Sequence, residues 1–207
     1  GKSTVCKLLQ QMHGFCVHSA GSIQRKVAEQ MGISTLELNN LMSTNLSIDK
    51  LIDDTTTTLG RDTSNSIIFD SRMAWHFVEH SFKVFLIVDP VVAANRVVES
   101  RKGIVENYND TDDACEQLLE RGRIENERFK QIYNVDNFDY RNYDLIVDTT
   151  YLSPEDVASV IFREYTIIQQ NSTYPLHIML SPLSLYPSQS VRNLNKTTID
   201  FCVDTRS

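Results

Sequence analysis

The stretch GKSTVCKLLQ, residues 1–10, decides how the rest of the chain is read. Gly1-Lys2-Ser3-Thr4 leads straight into an apolar segment of helical pattern. That is the form of the second half of a phosphate-binding loop, G-x-x-x-x-G-K-[ST]. In such a loop backbone N–H groups curl around phosphates at a helix N-terminus, the lysine reaches phosphate oxygens and the hydroxyl ligates a cation. Four small or polar residues also make an ordinary helix N-terminus, so the remaining sequence has to decide.

Working outward, short β-branched or aromatic runs alternate with longer helix-patterned stretches, the signature of βα units and a parallel sheet. Strands are predicted at about 14–19, 66–70, 83–88 and 144–148. Two of them, KVFLIV and DLIV, are nearly continuous apolar runs, as expected of strands covered on both faces. Helices are predicted at about 3–12, 21–31, 34–42, 47–59, 91–101, 112–132 and 154–165. Their starts are signalled by Ser34 with Glu37 as a capping box, by Asp89 before Pro90, and by Ser153-Pro154-Glu155-Asp156.

The 207 residues suffice for one globular domain with a small appendage. A net charge of -7 argues against wholesale binding to nucleic acid or anionic membrane, so any phosphate site must be locally focused. Cys6, Cys16, Cys115 and Cys202 lie far apart with no C-x-x-C pair, which reads as reduced, cytoplasmic thiols. No apolar run approaches the roughly 18 residues of a membrane span. Composition changes near residue 166: three of the five prolines follow, and no glycine occurs after Gly122. The expected division is therefore a main domain over 1–165, then a linker and the start of an appended unit over 166–207.

Basic residues sit where a second phosphate would be held. HSAGSIQRK places Ser19, Ala20 and Gly21 after a strand, with Arg25 one turn into the next helix. IIFDSR places Asp70 at a strand end, with Arg72 two residues on. ERGRIENER places Arg121 and Arg128 two helical turns apart on one face, with Glu125 between them. Each arginine alone reads as a solvated surface residue. The five histidines share no metal-ligand spacing, Trp75 reads as core, and Tyr133 with Asp136 reads as a brace at the base of a helix.

Taken together, GKSTVCKLL, HSAGSIQRKVAEQMGIS, IDKLIDDTT, SIIFDSRMAW, RGRIENERFKQIYNVD and YDLIVDTTYLSPEDV resemble the cytidylate kinases, particularly the compact archaeal type, within the nucleoside monophosphate kinase superfamily. The resemblance implies an α/β fold of three layers, α/β/α, with a parallel sheet and a helical lid over about 103–137. It implies transfer of the ATP γ-phosphoryl group to CMP or dCMP by a monomer, with Mg²⁺ as the accompanying ion. UMP and AMP stay open as acceptors, and so does a nucleotide-binding module without turnover.

Implied roles follow the matching positions. Gly1, Lys2, Ser3 and Thr4 meet ATP; Ser3 and Asp70 serve Mg²⁺, Asp70 through water. Ser19, Gly21, Arg25 and Asp70 line the acceptor side, with Glu125 at its sugar. Arg72 meets the acceptor phosphate or base, and Arg121 and Arg128, on the lid, close over the phosphates; with Lys2 these three form the implied catalytic set. The family's Asp-Gly-Arg turn is Asp70-Ser71-Arg72 here, so a glycine required at positive φ would leave Ser71 strained. With no strand or glycine-rich turn ahead of Gly1, the reading expects a sheet lacking its first strand, half an N–H cradle and weak ATP binding. The tail YPLHIMLSPLSLYPSQSVRNLN faintly resembles the opening of ParB-like domains, the alternative being an ordinary C-terminal extension.

Overall fold

The structure, a computed structural model, describes residues 1–42, 47–62, 64–100, 108–173 and 175–185. In chain order the elements are α1 (Lys2–His13), β1 (Cys16–Ser19), α2 (Ala20–Met31), α3 (Thr35–Met42), α4 (Ser47–Gly60), β2 (Ile67–Asp70) and α5 (Ala74–Phe77). Then come β3 (Ser81–Val88), α6 (Pro90–Ser100), α7 (Thr111–Tyr133), β4 (Leu145–Asp148), α8 (Pro154–Gln169) and β5 (His177–Leu185). The five strands form one all-parallel sheet in the order β1-β2-β5-β3-β4. The α/β class and the covered parallel sheet are as the sequence predicts.

The caps explain why the helices begin where they do. Ser34 and Glu37 exchange hydrogen bonds reciprocally: Glu37 N–H donates to Ser34 Oγ at 3.1 Å and Ser34 N–H to Glu37 Oε2 at 2.7 Å. Asp89 Oδ1 accepts from Val91 and Val92 N–H, and Ser153 Oγ accepts from Asp156 N–H. α1, α2 and α7 end on residues in the left-handed region, Gly14, Gly32 and Asn134.

Alternation along the strands divides the core between the two faces. Ile68, Ile178 and Leu180 join Val5, Leu9 and Ile161 on the face covered by α1 and α8. Ile67, Phe69 and Met179 point to the other face, against Trp75 and Val78. A satellite cluster of Ala28, Leu38 and Met42 packs α2, α3 and α4 together.

β5 corrects two expectations. The sequence reading ends the main domain near 165 and assigns 166–207 to a linker and a different unit. In the structure α8 continues to Gln169, and His177–Leu185 is the central strand, between β2 and β3. Residues 177–185 thus belong to the main sheet, paired with both of its halves, and not to a separate unit. A bulge between the Phe85–Ser181 and Ile87–Ser184 pairs accommodates Pro182, which has no N–H to give the ladder. The rest of the ParB-like stretch, 186–207, lies outside the described residues, as does the first part of the expected lid, 103–107.

Candidate active site

In a parallel sheet ligands bind at the carboxyl ends of the strands, where helix N-termini converge. β1 ends on Ser19 and β2 on Asp70, and the two residues are paired neighbours. Gly1 caps α1, its carbonyl accepting from Thr4 and Val5 N–H at 3.0 and 3.1 Å, so Lys2 and Ser3 stand in the first turn. Asp70 gathers all of these. Its Oδ1 meets Lys2 Nζ at 2.6 Å, and its Oδ2 accepts from Ser19 Oγ at 3.0 Å and Ser3 Oγ at 3.3 Å. Burial would raise the Asp70 carboxyl, but Lys2 and the two hydroxyl donors hold it below the usual carboxylate range.

Ser19 also caps α2, accepting from Ser22 N–H. Arg25, one turn further, lies back over that first turn: a Cβ on Gly21 would meet its guanidinium at 3.5 Å. Ser71 carries no strain, because Asn134 is the one non-glycine with positive φ among the described residues. Ser71 is buried and its Oγ accepts from Met73 N–H at 3.4 Å.

A second cluster forms where α7 passes the strand ends. Arg72 Nη1 meets Glu125 Oε2 at 2.5 Å, and Arg121 Nε meets Oε1 of the same carboxylate at 3.2 Å. Glu125 is 1% exposed. Burial would raise its carboxyl, and Arg72, Arg121 and Arg128 together reverse this and hold it low. Burial brings the Arg72 guanidinium down to about 10, against the pull of Glu125, and leaves it charged at neutral pH.

These groups face one cavity of about 560 Å³. Gly1, Lys2, Ser3 and Asp70 line one part, Gly21, Arg25 and Arg72 another, and Arg121 with Glu125 comes from α7. Three expected residues stand elsewhere. Ser19 supports Asp70 from behind. Thr4 opens on an adjoining cavity of about 370 Å³ that shares Gly1 and Lys2. Arg128 is not a wall residue; it lies 2% exposed beneath α3 and α4. Its Nε meets Asp49 Oδ2 at 3.2 Å, and its Nη1 donates to the backbone carbonyl and Oδ1 of Asn39 at 3.3 and 3.1 Å. Two helical turns keep Arg121 and Arg128 on one face, but the later one has passed under a neighbouring helix.

Sequence reasoning missed several residues. Asp49, Ile52 and Gln24 line the main cavity; the available signal was Asp49 and Asp53, four apart on one face of α4. Asp53 accepts a hydrogen bond from the Tyr133 hydroxyl, so a second tie joins α4 to α7. In the adjoining cavity Arg96 donates to the carbonyls of Thr149 and Thr150, at 3.0 Å each, beside Leu152 and Pro154. DTTYLSP, read only as a helix start, also forms this wall. Trp75 is core, as read, and its Nε1–H donates to Asn137 Oδ1 at 2.8 Å.

A cytidylate kinase from Sulfolobus acidocaldarius is 35% identical over 161 residues, 78% of this chain and 86% of the relative. One from Methanobrevibacter smithii is 31% identical over 168 residues, 81% of this chain and 94% of the relative. An S-adenosylmethionine-dependent nucleotide dehydratase from Lacinutrix mariniflava is 29% identical over 166 residues, 80% of this chain but 33% of that longer protein. The model of the cytidylate kinase-like family matches residues 1–151, which hold the α1 N-terminus, the strand-end carboxylate and all of α7; the chain belongs to that family.

Proposed function

We propose that the protein transfers the γ-phosphoryl group of ATP to the phosphate of CMP or dCMP. The observation that carries this reading is the cavity into which Lys2, Arg25, Arg72 and Arg121 converge around the buried carboxylates Asp70 and Glu125. Such a concentration of fixed cations in a chain of net charge -7 suits two phosphorylated ligands meeting end to end. An acceptor phosphate oxygen is already anionic, so it attacks the γ-phosphorus without a general base. The bond to the β-bridging oxygen breaks, and ADP leaves with that electron pair.

The residues divide by position. Lys2, Ser3 and the N–H groups following Gly1 hold the terminal phosphates of ATP at the start of α1. The adjoining cavity past Thr4, with Leu152, Pro154 and Arg96, takes its sugar and base. Gly21 and Arg25 hold the acceptor on the α2 side, and Ser19 steadies Asp70. Arg72 and Arg121 face the acceptor phosphate, where it meets the transferring group. Arg128 acts through the placement of α3 and α4 rather than on the phosphates.

Magnesium fits the donor set, since a hydroxyl and a carboxylate oxygen, Ser3 Oγ and Asp70 Oδ2, stand 3.3 Å apart. Among the described residues no group of three or more His, Cys, Asp or Glu side chains is gathered for a metal. A cation here relies on water and phosphate oxygens, which suits Mg²⁺. When bound, it neutralises charge on the phosphates; Asp70 would hold it through water and Ser3 directly.

The test is Mg-ATP-dependent turnover on a panel of CMP, dCMP, UMP and AMP. Conversion of CMP or dCMP in preference to the others is the expected result. Nucleotide binding with no turnover of any monophosphate would leave a binding module instead of an enzyme.

A further inference from the structure

Three cations of the main cavity are paired with carboxylates of the protein itself. Lys2 is held by Asp70, and Arg72 and Arg121 are held by opposite oxygens of Glu125. Glu125 is 1% exposed, yet it and both guanidinium groups belong to the cavity wall. A planar fork of two anionic oxygens spanning two guanidinium groups is also how arginines bind phosphate. The carboxylate therefore occupies the donors that an incoming phosphate needs.

We propose, resting on the phosphoryl-transfer reading above, that Glu125 is a built-in competitor of the acceptor phosphate, holding Arg72 and Arg121 until a phosphate monoester displaces it. A phosphate monoester brings roughly -1.5 to -2 charges and three acceptor oxygens. It outbids a single carboxylate, while a weaker anion does not. The same carboxylate keeps two like charges converged in a buried space, where they would otherwise repel and splay. Glu125 is thus a positioning residue: it aims the arginines and sets a threshold for anions. The contrast with Arg128 supports this. Its partner Asp49 reaches the cavity, but Arg128 itself lies beneath α3 and α4, off the wall, and offers no donors to a ligand there.

The experiment uses Glu125→Gln, which keeps the shape and removes the charge, titrated calorimetrically with inorganic phosphate and, separately, with CMP, both without ATP. Phosphate is expected to bind about tenfold more tightly than to the parent, a change of about 1.4 kcal/mol. In turnover the KM for CMP should fall while kcat also falls, because the arginines are no longer held on one point. Unchanged or weaker phosphate binding overturns the proposal. Glu125→Asp keeps the charge on a shorter stem and should bind phosphate as the parent does; tightening equal to that of Glu125→Gln would also overturn it.

If Glu125→Gln folds poorly alone, its melting temperature should climb more steeply with phosphate than the parent's. Failure to fold at any phosphate concentration would mean that the carboxylate is not exchangeable, and the proposal falls. A parent protein that turns over no monophosphate would instead sink the kinase reading, since phosphate competition is read without turnover.

Discussion

Arg121 and Arg128 project from the same face of the same helix, and they end in opposite circumstances. Arg121 shares Glu125 with Arg72 on a cavity wall. Arg128 is sealed against Asp49 and Asn39, and its guanidinium lies 5.2 Å from the centre of the Phe129 ring. Both pair with a buried carboxylate, so burial and charge do not separate them. Access does: Arg121 itself lines the cavity and Arg128 does not, although the carboxylate partner of each is part of the wall. Two turns of one helix thus separate an arginine on a cavity wall from one buried beneath neighbouring helices.

The sharpest way to break that comparison is Arg128→Ala. Removing one member of a buried pair strands Asp49 without a counter-charge, an expected loss of about 3–5 kcal/mol and a fall in melting temperature of roughly 10 °C for a chain of this size. Thermal denaturation would read it, and a parent-like melt would show that Arg128 is no clamp. Lys2→Ala should do the reverse. Asp70 keeps two hydroxyl donors, Ser3 and Ser19, so the melt should move less than in Arg128→Ala. Turnover of CMP should drop by about 10²–10³, the usual cost of losing a donor aimed at developing charge.

The smallest effect concerns the second tie between α4 and α7. Burial, opposed by the Tyr133 hydroxyl and augmented by Asp49 and Asp54, pushes the Asp53 carboxyl up to about 6. The folded state then holds this proton more tightly than the unfolded chain, whose carboxyl titrates near 4. Stability from this group is present below pH 4 and lost as pH rises through 6. Asp53→Asn should accordingly melt about 2 °C above the parent at pH 8, and the gap should close between pH 6 and 4. A gap constant with pH would mean that Asp53 does not titrate in this window.

What the sequence made legible was local. The capping box at Ser34, the Asp89-Pro90 start and the unbroken apolar run of β3 depend on neighbours within a turn or a strand, and each stands as read. Asp70 and Arg72 were also legible, because a strand end fixes where its side chains emerge. Depth was not. A spacing of seven residues fixes a helical face but not which neighbour will cover it, and so Arg128 was read as facing phosphate. α5, four residues long, is too short to show a period. β5 was hidden by Pro182, which reads as a break until a bulge makes room for it.

β5 has a further meaning for how the molecule is made. Without it the sheet is two separate ribbons, β1 with β2 and β3 with β4, sharing no ladder. It is the last of the described strands in chain order, and among them it alone ladders to both ribbons, to β2 on one side and β3 on the other. Joining them requires contacts across long stretches of chain, which slows folding relative to local pairing. Asp70 at the end of one ribbon and Val88 at the end of the other are held at a fixed separation through their pairing with that strand. The spacing of the two strand ends that flank the cavity therefore rests on one strand contributed from far along the chain.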